Sequence, residues 1–144
     1  MQLKQLNTYL LKSRRRFNMT FIKKWISHPV AFRIAFVLYS LLVVWASLKP
    51  SGGPQPIEHF DKVMHFTFYG LFTIIAAGCT TQRKTFIWLS IFIACYGALM
   101  EFCQSFVPSR FMSIADIVAN TSGVLLMVLI SFKLQLYGIS KNNR

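Results

Sequence analysis

Four apolar runs divide the chain, at residues 30–48, 61–79, 85–106 and 113–132. Each is roughly 19–22 residues long, which at 1.5 Å per residue matches a hydrocarbon core about 30 Å thick. Backbone polar groups find no water partner in lipid, so runs of this kind are predicted to be helices. The first stops at Lys49-Pro50, just ahead of the breaker cluster Ser51-Gly52-Gly53-Pro54. The links 80–84 and 107–112 are short, so the helices they join are predicted to be antiparallel neighbours. The pattern predicts an all-α membrane protein. A four-transmembrane-helix bundle over 30–132 lies between a basic segment, 1–29, and a tail, 133–144.

Composition supports that class. Of 144 residues, 54% are hydrophobic and 14% charged, against roughly 25% charged in soluble domains. The 16 Lys+Arg and 4 Asp+Glu give a net charge of +12, which would suggest nucleic acid were the charge not so unevenly placed. Lys4, Lys12, Arg14, Arg15, Arg16, Lys23, Lys24 and Arg33 lie before or just inside the first run. Arg83 and Lys84 follow the second, and Lys133, Lys141 and Arg144 follow the fourth. The opposite side carries only Lys49, Lys62 and Arg110. Positive residues stay inside, so both termini are predicted to be cytoplasmic. The charge is then a topology signal and an attraction to anionic membrane lipids; no nucleic-acid partner is expected.

The segment 1–29 spaces Leu3, Leu6, Leu10, Leu11 and Phe17 among Lys and Arg at near-helical intervals. It reads as an amphipathic helix on the inner leaflet, or as a frayed basic tail. A secretory signal peptide fits poorly, because the basic block stands far from the apolar run; Met19 is an alternative start. Trp25, Trp45 and Trp88 fall near span ends and read as interface anchors. Cys79, Cys95 and Cys103 have no paired spacing and read as small hydrophobes.

The acids carry more information. Glu58, Asp61, Glu101 and Asp116 all fall at the outer ends of the runs. Topology thereby brings carboxylates from three sequence-distant segments to one membrane depth. Asp61, His65 and Tyr69 recur every four residues, Glu101 and Gln104 are three apart, and Ser113, Asp116, Asn120 and Gly123 form a polar and small stripe. Arg110 follows Pro108 in the outer link. Carboxylates in a membrane normally face a bundle interior or watery cavity and find partners. The expected pairing sets Arg110 against Glu101 or Asp116 and Asp61 against His65, with Gln104 and Asn120 completing hydrogen bonds. The plain alternative is that the groups staple and cap helix ends, Asp61 and Ser113 being good capping types.

The same residues carry a resemblance. Asp61-Lys62-x-x-His65-Phe66-x-x-Tyr69, Glu101-x-x-Gln104-x-x-x-Pro108-x-Arg110 and Ser113-x-x-Asp116-x-x-x-Asn120-x-x-Gly123 resemble the VanZ-like family of small bacterial membrane proteins. The matching stretch runs from His59 to Met127 and leaves the basic N-terminal segment outside. Met127 stands where members often have another Gly. The resemblance implies the bacterial cytoplasmic membrane and a link, through the name-giving member, to low-level resistance to the lipoglycopeptide teicoplanin. It implies no agreed biochemical activity.

Two functional classes follow. As a ligand site, Asp61, His65, Tyr69, Glu101, Gln104, Arg110, Ser113, Asp116 and Asn120 would line an outer-leaflet pocket. It would take an anionic lipid-linked precursor or lipoglycopeptide, with Phe66, Phe68 and Phe106 as an apolar wall. As an enzyme, Asp61 and His65 would supply a general base, Glu101 or Asp116 a second acid/base, and Arg110 an anion clamp. Nucleophile motifs and P-loops are absent, and no inverted repeat suggests a transporter. No cofactor is expected. A metal on His65 plus carboxylates is set aside, the ligand set being poor for zinc.

Overall fold

The computed structural model describes residues 29–50, 59–134 and 136. It contains four helices: α1 (Pro29–Leu48), α2 (Phe60–Gly78), α3 (Arg83–Gln104) and α4 (Ile114–Leu134). Every boundary lies within two residues of the pattern-based expectation, because the apolar runs and their breakers coincide. Three helices, α1, α3 and α4, are long and apolar enough to cross a membrane. The second is not in that set. Asp61, Lys62 and His65 in its first two turns lower its mean hydropathy. The basic N-terminal segment, Trp25, Glu58 and the tail beyond 136 lie outside the described residues.

Side-chain contacts fix the helix directions. His65 near the start of α2 meets Glu101 near the end of α3 and Asn120 near the start of α4. At the far end, Phe86 of α3 packs edge-on against Phe132 of α4, ring centroids 5.8 Å apart. Phe32 near the start of α1 lies against Gly78 at the end of α2, so consecutive helices are antiparallel, and α2 and α4 run parallel. The α2–α4 seam is the tightest. A Cβ on Gly123 would collide with the Phe66 carbonyl, so backbone meets backbone there. Small residues allow such approach where the hydrophobic effect offers no drive between helices in lipid.

The core is aromatic. Phe72 is fully buried, with Phe36 at 4.7 Å, Tyr39 at 5.3 Å and Tyr96 at 6.1 Å between ring centroids. Two phenols tie α1 to its neighbours: Tyr39 donates to the Phe68 carbonyl at 3.1 Å and Tyr96 donates to the Ser40 carbonyl at 2.8 Å. Buried Thr73 and Ser90 satisfy their hydroxyls on carbonyls one turn back, Tyr69 and Phe86 respectively. Trp45 and Trp88 are exposed near helix ends, as anchors would be, and Lys49 stands over the Trp45 ring. All three thiols are free: Cys79 is packed inside, Cys103 is half-buried and Cys95 lies exposed.

Candidate functional site

The link between α3 and α4 builds one wall of the site. After Gln104 the chain winds through successive turns, with Ser105, Phe106 and Val107 amides on carbonyls three residues back. Pro108 offers no donor, Ser109 adopts the left-handed conformation at φ 65°, and the Arg110 amide returns to the Val107 carbonyl at 3.1 Å. This reversal carries Arg110 over the helix ends. Ser113 then accepts the Asp116 amide at 3.3 Å and starts α4 as a side-chain cap. Asp61 plays no such role: α2 starts at His59, left-handed at φ 63°, without a side-chain cap, and Asp61 lies in the first turn.

A cavity of about 520 Å³ opens between these ends. Asp61, His65, Tyr69, Gln104, Arg110, Ser113 and Asp116 line it, so seven of the nine expected residues meet there. Glu101 and Asn120 are buried beneath, in contact with His65. The apolar side differs from expectation. Phe68 lines the cavity with Phe60, Met64 and Phe111, whereas Phe66 and Phe106 do not. Phe66 sits on the α4 seam, and Phe106 is among the most exposed side chains. Val43, Ala46 and Ser47 of α1 complete the rim; only Ser47 offers a polar signal, too weak to single out.

The ionic pairing also differs. Asp61 takes the ammonium of its neighbour Lys62 at 2.9 Å, and Lys62 reaches on to Asp116 at 3.4 Å. Lys62 thus bridges α2 and α4, a role spacing missed because adjacent helical positions point apart. His65 Nδ1 lies 3.1 Å from Asn120 Oδ1 and 3.4 Å from Glu101 Oε1, and Nε2 lies 4.0 Å from Asp116 Oδ2. Amide oxygen only accepts, so Nδ1 donates and holds the ring toward α3 and α4. Among the described residues Arg110 forms no ion pair with Glu101 or Asp116, and its Nε is buried without a hydrogen-bond partner.

Beneath the cavity, Glu101 has 1% of its side chain exposed, and neither oxygen has a hydrogen-bond partner. The Ser113 amide and the Arg110 guanidinium stand in its electrostatic neighbourhood. The Tyr69 hydroxyl is likewise buried and unpartnered. Gly97 gives that ring its room, since a Cβ there would meet Tyr69 Cε1 at 2.8 Å.

A family model described as VanZ/LLP1 matches residues 3–135. The chain belongs to the VanZ-like family. The match starts near the N-terminus, so the basic segment lies inside the family's extent, contrary to the expectation that it stood outside. No curated protein and no solved structure matches the chain. With three helices apolar enough to span, this is a VanZ-like membrane protein.

Proposed function

We propose that this VanZ-like protein binds the polar head of an anionic envelope amphiphile in the α1–α4 cavity, at the outer leaflet of the bacterial cytoplasmic membrane. The ligand class is a lipid-linked precursor or a lipoglycopeptide of the teicoplanin type. In this reading α2 is a fourth span, shielded by its neighbours, and both termini are cytoplasmic, as the basic asymmetry favours. One observation carries the ligand class. Arg110 lines a cavity that is part polar and part apolar, with a buried, unpartnered Nε, and a guanidinium so placed suits a phosphate or carboxylate. Phe60, Phe68 and Phe111 would face the apolar part of the same molecule.

Native mass spectrometry of protein extracted in mild detergent tests this. A defined anionic amphiphile should be retained by the wild type and lost from Arg110→Ala. Arg110→Lys keeps the charge but not the fork, and should retain roughly tenfold less. Equal retention by all three sinks the reading. Labelling from outside should reach cysteines placed at Ser51 and Ser109 but not at Thr81; the reverse inverts the site. Acid/base chemistry on the same ligand is the second reading, favoured by His65 standing between Asp116 and Glu101. Turnover of the retained amphiphile, abolished in His65→Ala, would select it.

A further inference from the structure

At the cavity floor, α2, α3 and α4 each contribute one metal-ligating side chain. We propose that His65, Glu101 and Asp116 bind a single divalent cation of the Mn²⁺ or Zn²⁺ kind. One donor atom from each lies within 4.8 Å of the others. Ligands 2.0–2.2 Å from such an ion stand about 3–3.5 Å apart, so the cluster needs to tighten by roughly an ångström, within side-chain rotation.

The charge pattern asks for a cation. Neither oxygen of buried Glu101 is hydrogen-bonded, its close contact being the His65 ring at 3.4 Å, and Asp116 Oδ1 has the Lys62 ammonium at 3.4 Å without a hydrogen bond. A buried carboxylate without partners is costly unless neutralised or countered. Glu101 also lies in the last turn of α3, where the helix dipole disfavours an anion. Lys62 is already shared between Asp61 and Asp116, and Arg110 acts on Glu101 without forming an ion pair with it.

Donor chemistry narrows the ion. One imidazole with two carboxylates suits the first-row divalent ions, whereas Mg²⁺ and Ca²⁺ favour all-oxygen sets. Three protein ligands leave coordination positions open. Asn120, on His65 Nδ1, is the kind of outer partner that orients a ligating ring, with Nε2 then carrying the lone pair near Asp116. His65 and Asp116 border the cavity, giving an ion its path. Judged as a zinc set from sequence, one His with scattered acids looked poor; the fold gathers them. The inference goes beyond the amphiphile reading and does not need it.

The experiment uses full-length, untagged, chelator-stripped protein in phosphatidylcholine nanodiscs, titrated with Mn²⁺ by electron paramagnetic resonance. With only four acids and a net charge of +12 the chain has few adventitious sites. One Mn²⁺ per chain should bind, be displaced by Zn²⁺, and show ¹⁴N coupling from an imidazole. Glu101→Gln and Asp116→Asn should each bind at least about tenfold more weakly, and Asn120→Ala about 10–100-fold. Lys62→Ala, which removes a competing cation, should bind as well as wild type or better. No binding by folded wild type, or bound Mn²⁺ without ¹⁴N coupling, overturns the proposal even if a carboxylate variant fails to fold. Failure of amphiphile retention alongside intact Mn²⁺ binding would sink only the headgroup reading.

Discussion

Helices α1 and α2 lie side by side yet solve opposite problems. The first has a mean hydropathy of 2.0, and only 11% of its most apolar window is buried against protein. Val43 and Ser47 are its buried residues, while Val37, Leu38, Leu41 and Trp45 face outward. The second falls short of a spanning helix by hydropathy, yet buries Tyr69, Gly70, Phe72, Thr73, Ala76 and Ala77. In water the most apolar element belongs inside. In lipid the solvent is itself apolar, so hydropathy reports exposure to lipid, and the less apolar helix can take the centre with the polar site.

The largest test of that contrast is Phe72→Ala. Phe72 is fully buried among rings from α1 and α3, and truncation should cost about 3–5 kcal/mol. Reversible denaturation in mixed micelles measures it. A cost below about 1 kcal/mol would mean that α2 is not the packing centre.

Next comes the seam. Gly123→Ala drives a methyl into the Phe66 backbone, which cannot yield without moving a helix, and should cost about 2–3 kcal/mol. Gly70→Ala meets the Met127 side chain at an ordinary 3.4 Å, which rotation relieves, and should change little. Equal effects would show that α2 and α4 adjust freely. Smaller again is Tyr96→Phe, which removes the hydrogen bond to the Ser40 carbonyl and should cost about 1 kcal/mol. No measurable loss would mean that α1 is held by ring packing alone.

Sequence pattern reached the helices and most of the site for one reason: both are periodic. Asp61, His65 and Tyr69 meet in the cavity because a four-residue step keeps them on one face. The misses are aperiodic. Arg110 was expected on a carboxylate, but left-handed Ser109 and the turn back to Val107 fix its position, and spacing encodes neither. Lys62 is not reached by spacing, because adjacent helical positions point apart, yet its long stem bends back to Asp61 and on to Asp116. That Glu101 and Asn120 sit under the floor rather than around it depends on the α2–α4 approach that Gly123 permits.

The smallest expected effect is the most discriminating for α1. Leu41 is 60% exposed and Val43 is 3% exposed, two residues apart on one helix. Val43→Ala leaves a cavity of two methyl-sized groups in a packed site and should cost about 1 kcal/mol through lost packing contacts. Leu41→Ala removes more apolar volume, and in water-based intuition a leucine at a helix centre would matter more. Against lipid or detergent tails the lost contacts are replaced in both folded and unfolded states, so the change should stay within about 0.5 kcal/mol. Both variants can be compared in the same micelles by the same denaturation. If Leu41→Ala costs as much as Val43→Ala, the outward face of α1 is covered by protein, and its apolarity reflects packing instead of lipid.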